Sequence, residues 1–317
     1  SLTAVQWITI HSSRNGQSLL AAFWGANLLE APLWMRVALW MWCMLSRSPP
    51  LPASPSGFAA ATELMEYTKS TRIKDMTVRE LIQRAPEASA VIIPIGSLEI
   101  LGQHGPLGLD DMVAEAIVDP IAEQTGCLSA PLIPYGDTLE FGSYPGTVHI
   151  PQTVLEEYLY AVANSLLIHS GFRAVVFLAT HSLNCHAANS VCRRLTIEGK
   201  KVLLADWWAA VGSRSCGVLE DTATGRGHGS EMITSVALAL CKELVRMEDA
   251  LAETPAPALE KVNRWNGTPF KTYGCFRQYC KSGAWGNMSL ATAEKGLLLL
   301  QRGVEAVSQF IMEALAQ

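Results

Sequence analysis

The sequence predicts an α/β fold in which a mainly parallel sheet carries helices on both faces. Three observations predict it. From residue 65 onward, short apolar runs alternate with helical patterns of about 10–18 residues. The runs at 90–95 and 174–178 are apolar at nearly every position, as strands buried on both faces must be. Histidines and carboxylates gather just past the ends of these runs, where open α/β sheets bind ligands.

The chain has 317 residues, 49% of them hydrophobic, enough for a sizeable core in one domain of roughly 250 residues. A net charge of -5 leaves no electrostatic footprint for nucleic acid, and no such partner is expected. Eight cysteines are scattered without a CxxC pair, the pattern of reduced thiols in a cytoplasmic protein, and zinc held by cysteine alone is not expected. Residues 1–64 are foreign in composition. They hold five of the nine tryptophans, and neither apolar run, at 19–29 or at 37–45, reaches the length of a membrane span. Residues 46–56, rich in Pro and Ser, read as a linker. The expected organisation is therefore an atypical extension at 1–64, dispensable or translated from a misplaced start, followed by a catalytic domain at 65–317. A membrane-associated N-terminus is the minor alternative.

From Met65 the elements follow in order. Thr77 and Glu80 have capping-box spacing and start a helix. The strand at 90–95 leads into a Gly-rich loop, then a helix over 111–124 that Pro120 kinks or shortens and Gly126 stops. A second strand is expected over 128–135. A long Gly/Pro-rich loop follows, of the kind that often carries function, and Thr153 with Glu156 caps a helix to about 170. A strand at 174–178, a helix from about 187 to 198 and a strand at 202–205 come next, with Trp207 and Trp208 behind the last. Helices are expected over 231–244 and 291–316, with irregular chain at 250–287 between them.

Three segments place polar groups on one sheet edge: Glu99, His104 and Asp110; His181 and His186; His228 and Glu231. Carboxylate oxygen and imidazole nitrogen together suit a divalent cation, which lowers the pKa of water and polarises a carbonyl. A serine triad is disfavoured, since no GxSxG elbow is present, and a phosphate loop lacks its lysine. Any one of these histidines could equally be a satisfied core or surface imidazole. Four on one edge with three acids shift the balance toward a site.

In this order the segments resemble the creatininase (creatinine amidohydrolase) family. Its loop, roughly Gly-Ser-x-Glu-x-His-Gly-x-His-Leu-Pro-x-Gly-x-Asp, is similar to Gly96-Ser97-Leu98-Glu99-Ile100-Leu101-Gly102-Gln103-His104-Gly105-Pro106-Leu107-Gly108-Leu109-Asp110. Its Pro-Gly-Thr resembles Pro145-Gly146-Thr147, its Asn-Gly-His-x-x-Asn resembles 179–184, and its His-Ala-Gly-Glu-x-Glu-Thr-Ser resembles 228–235. The glycine-rich Ala-Thr-x-Glu-Lys-Gly segment resembles 283–296. The resemblance implies a three-layer α/β/α fold, a homo-oligomer (often a hexamer), and metal-dependent hydrolysis of a non-peptide C–N bond in a small cyclic or linear amide such as a lactam, formamide or creatinine-like compound. It carries one metal site onto Glu99, Asp110 and His181. The second site departs, because its ligand positions are Leu101, Leu183 and Ile233 here.

The expectation is thus one divalent cation per chain, zinc or manganese with iron or magnesium as alternatives, and Glu231 completing the shell. His228 acts as general acid/base or orients the substrate, with Glu231 and His104 also placed in the catalytic set, His104 behind the ligands or against substrate. Trp207 and Trp208 resemble a substrate-covering tryptophan loop, with core packing as the plain alternative. Thr147 and His149 lie on the substrate-side loop; Glu140, Phe141 and His149 tune specificity, and His149 makes creatinine itself a doubtful substrate. Cys185 and His186 are read as structural. The competing function is an altered member that binds a small ligand or catalyses a non-hydrolytic step.

Overall fold

The computed structural model describes residues 70–253 and 274–317. The chain divides into two units, Ser1–Met65 and Glu66–Gln317. The expectations for residues 1–64 lie outside the described residues, as do those for 254–273.

Four parallel strands form one sheet in the order β2-β1-β3-β4: β1 is Val91–Ile95, β2 Leu128–Ser129, β3 Ala174–Ala179 and β4 Lys201–Asp206. Every residue of β1 and β3 is buried. Their side chains alternate between two cores, as a pleated sheet covered on both faces requires. Ile92, Val176 and Leu178 face one core; Val91, Ile93, Val175 and Phe177 face the other. The expected second strand at 128–135 pairs as a ladder only over its first two residues. Pro131 and Pro134 offer no N–H, and the run continues as single bonds, Ala130 N to Ile92 O and Ile133 N to Pro94 O.

Helices α1 (Val78–Arg84), α3 (Gln152–His169) and α4 (Asn184–Ile197) accompany one core. Helices α2 (Leu109–Thr125), α5 (Trp207–Ser213), α6 (Glu231–Cys241) and α7 (Ala293–Leu315) accompany the other. The result is the three-layer α/β/α arrangement. The capping box of α1 forms with both hydrogen bonds, between Thr77 and Glu80.

Several boundaries differ from the sequence reading. Pro120 neither ends nor shortens α2, which runs on to Gly126 and stops there because that glycine takes φ 66°. The Thr153 capping box does not form; α3 starts behind Pro151, and Gln152 bonds Glu156 instead. Helix α4 begins at Asn184, so His186 lies in its first turn. The chain after β4 is helical at once, because Asp206 accepts a hydrogen bond from Ala209 N and caps α5. Above the sheet edge a third cluster, including Ile100, Phe141, Leu183, Phe276 and Trp285, forms an aromatic cover.

Candidate functional site

The C-terminal ends of β1 and β3 and the N-terminus of α2 deliver three ligand-type side chains to one buried point. Glu99 sits on the loop after β1, Asp110 is the second residue of α2, and His181 follows β3. A carboxylate oxygen from each acid and a nitrogen of His181 all lie within 4.8 Å of one another. His181 Nδ1 stands 3.2 Å from both Glu99 Oε1 and Asp110 Oδ2.

Each ligand atom is aimed by a neighbour. His181 Nε2 donates to the Asp137 carbonyl at 2.9 Å, an acceptor only, so Nδ1 is the nitrogen turned to the carboxylates. Asp110 accepts from Ser97 Oγ at 2.8 Å on Oδ2 and from Trp208 Nε1 at 3.1 Å on Oδ1. Thr180 Oγ1 ties the Asp110 carbonyl to the end of β3. Glu99 Oε2 is buried with no hydrogen-bond partner, a costly state for a carboxylate oxygen unless something else satisfies it. Burial pushes the His181 pKa down, but Glu99 and Asp110 outweigh it and hold the imidazole well above its ordinary value. A position where two carboxylates stabilise a proton is also one where they would stabilise a cation. Two oxygens and one nitrogen in this spacing fit a divalent metal.

The cluster opens into a cavity of about 850 Å³. His228 sits on its wall, its ring stacked on Phe141 at 4.3 Å between centroids and met edge-on by Phe276 at 5.4 Å. His228 Nε2 donates to the Ile100 carbonyl at 2.7 Å. Its Nδ1 is the ring nitrogen turned toward the cluster, 3.8 Å from Glu99 Oε1. Leu101, Leu183 and Ile233 all line the same cavity, so the three positions without ligand chemistry present an apolar wall.

Several expected site residues lie elsewhere. Glu231 does not complete the shell. Its carboxylate is fully buried at the start of α6, where it accepts from the Glu220 and Asp221 backbone amides and pairs with Lys295 at 2.6 Å. His104 is not on the wall of this cavity. It is buried, and burial first, then the nearby His228, pull its pKa down to about 4. Thr234 Oγ1 donates to the Gly229 carbonyl, so it accepts from His104 Nε2 at 2.8 Å and leaves Nδ1 buried and unpartnered. Trp207 belongs to the core, whereas Trp208 lines the cavity. Thr147 braces the loop by accepting from Ile100 N, and His149 Nδ1 accepts from Thr138 N; neither is on the cavity wall. Of Glu140, Phe141 and His149, only Phe141 reaches the cavity. His186, read as structural, lines it as well. Sequence reasoning missed Ser97, Phe276 and Arg226; Ser97 alone had a signal, its place in the Gly-Ser-x-Glu motif.

Fold and site together define an α/β/α protein with a candidate metal cluster at the carboxyl edge of its sheet. A family model described as creatinine amidohydrolase matches residues 74–311, and the chain belongs to the creatininase family. It is 29% identical over 216 residues to the mycofactocin precursor peptide peptidase of Mycobacterium ulcerans, covering 65% of this chain and 78% of that protein. It is 26% identical over 263 residues to the 3-dehydro-scyllo-inosose hydrolase of Thermotoga maritima (78% and 83%). It is 24% identical over 270 residues to the creatinine amidohydrolase of Pseudomonas putida (78% and 98%). A solved mutant creatininase of Zn-Zn type superposes with a TM-score of 0.65 at 22% identity, covering 78% of this chain and 98% of that one. A creatininase structure titled as the Mn form gives 0.65 at 23%, covering 77% and 98%. Family membership makes the chain a hydrolase. Among the described residues no helix is long and apolar enough to cross a membrane.

Proposed function

We propose that this hydrolase cleaves a C–N bond in a small cyclic or linear amide, with one divalent cation per chain held by Glu99, Asp110 and His181. The observation that carries the reading is the convergence of these three side chains within 4.8 Å at a cavity. Zinc or manganese suits the set, with iron or magnesium as alternatives. The cation would supply Lewis acidity, polarising a carbonyl and making water a stronger acid.

The chain's own groups do the rest. Trp208 and Ser97 fix the Asp110 carboxylate, and the Asp137 carbonyl fixes the His181 tautomer, so neither ligand must reorganise. His228 Nδ1 takes a proton from the attacking water and returns it to the leaving nitrogen, its ring held in place by Phe141, Phe276 and the bond to Ile100. Phe141, Phe276 and Trp285 line the cavity and lower the polarity around the reacting centre. Leu101, Leu183 and Ile233 themselves offer no ligand atom for a second cation, which supports a single-metal site. The same three side chains favour the second reading, an altered member that binds a ligand or catalyses a non-hydrolytic step. Homo-oligomeric assembly, a hexamer by resemblance, belongs to the proposal and is supported by exposed Tyr135, Leu139, Val154 and Tyr158. So does a cytoplasmic setting, supported by seven described cysteines that are all free.

Elemental analysis of protein purified without chelator tests the reading, beside Glu99→Ala. One equivalent of divalent metal, lost in the variant, is expected. Two equivalents overturn the single-metal site. None moves the protein to the second reading.

A further inference from the structure

The cavity holds a cation that the chemistry above does not use. Arg226 lies on its wall, two residues before His228, and among the described residues it is the only Lys or Arg lining the cavity. Its Nε donates to Ser215 Oγ at 2.9 Å. Ser215 is itself buried and donates onward to the Gly212 carbonyl at 2.8 Å, so it meets the arginine as an acceptor. One edge of the guanidinium is thus anchored, and the Nη pair has no acidic partner among the described residues. The loop that presents it is braced as well. Glu231 clamps the Glu220 and Asp221 amides, Asp221 accepts from Ala223 N, Thr224 N and Thr224 Oγ1, and Ser230 Oγ holds the Gly225 carbonyl.

Charge balance points the same way. Glu99 and Asp110 are the carboxylates on the described cavity wall, and one divalent cation would balance them. Arg226 itself stands exposed at the cavity's edge, where water screens its charge, so what it offers an anion is the fixed direction that Ser215 gives it. A pre-oriented, unpaired guanidinium in a concave site is the side chain best matched to a planar anion, because its two outer N–H groups parallel the two oxygens of a carboxylate.

We propose that the substrate of this site is an amide that also bears a carboxylate, and that Arg226, oriented by Ser215, binds that carboxylate while the scissile amide lies at the Glu99–Asp110–His181 cluster. The assignment of the scissile bond rests on the amidohydrolase reading; the anion site stands on Arg226 itself. Neutral lactams and formamides are then poor ligands, and Leu101, Leu183 and Ile233, on the wall of the same cavity, offer apolar contact to the uncharged part of the substrate.

The test is equilibrium binding of N-acetylglycine, N-acetylleucine and N-acetylphenylalanine to the full chain by calorimetry, each beside its uncharged N-methylamide. Carboxylates are expected to bind at least about tenfold more tightly, with a gap that narrows as salt is raised. Arg226→Gln should erase the gap, and Arg226→Lys should keep part of it, with melting temperature and metal content at wild-type values in both. The series is repeated after removal of metal with chelator, where the Arg226-dependent gap should persist. A gap that survives Arg226→Gln and vanishes with chelator belongs to the metal cluster and overturns the proposal. So does equal binding of acids and amides, or failure of every carboxylate to bind. Metal content of the wild-type chain reports on the amidohydrolase reading separately.

Discussion

His104 and His181 carry opposite protonation for identifiable reasons. His181 faces two carboxylates and is held charged until a cation replaces its proton; His104 faces a threonine and apolar chain and is held neutral. The neutral one has a consequence for stability. The folded state releases the His104 proton near pH 4, the unfolded chain near 6.5, so between these values the unfolded chain binds more protons. Stability should therefore rise with pH across about 4 to 6.5. The His104 contribution is complete above 6.5 and lost as pH falls, and is worth roughly 2–3 kcal/mol over the window. Urea unfolding of wild type and His104→Gln at pH 4.5 and 7 checks this. The gain between the two pH values should be smaller in the variant; an unchanged gain would remove His104 as its source.

Among the elements, α4 does more than cover the sheet. Its first residue, Asn184, is fully buried, accepts from Asp137 N at 2.8 Å and donates to the Gly96 carbonyl at 2.8 Å. It thereby ties the loop that carries Glu99 to the loop whose carbonyl orients His181. The fit depends on Gly136, where any Cβ would lie 2.1 Å from Asn184 Oδ1. Asn184→Ala leaves two buried backbone groups unsatisfied and should cost about 2–4 kcal/mol, with weaker metal retention in equilibrium dialysis. A loss under about 0.5 kcal/mol would mean that the loops hold each other without it. This element also shows what the sequence makes legible. Glu99, Asp110, His181 and His228 can be found because their placement follows from local order: strand, glycine turn, ligand. Glu231, His104 and Trp207 carry the same residue chemistry, but their direction is decided by Lys295, Thr234 and the α7 packing face, far along the chain. Arg226 was invisible for a related reason. A single arginine on an irregular loop has no periodicity, and only Ser215 shows which way it points. Strand β2 is shorter than its apolar run suggests because Pro131 and Pro134 interrupt the run.

For the molecule as a whole, the sheet is buried under helices on both faces and the proposed cation binds only the folded arrangement of three distant segments. Added zinc or manganese should therefore raise the melting temperature. At a free concentration about 100 times the dissociation constant the gain is about 2.7 kcal/mol. For a unit of this size that is roughly 5–10 °C. Chelator should return the wild type to the metal-free value, and Glu99→Ala should show little response in the same scan. A response of equal size in the variant would place the stabilising cation elsewhere.

The Glu231–Lys295 pair has a further consequence, in the order of synthesis. The two residues are 64 positions apart, and Lys295 comes after every strand and every proposed ligand. At about 5–20 residues per second the ribosome delivers the lysine roughly 3–13 s after the glutamate. During that interval the acid has the Glu220 and Asp221 amides but no counter-charge. The nascent chain can have its sheet and all three candidate ligands outside the exit tunnel and still hold no finished pocket; competence arrives with the last helix.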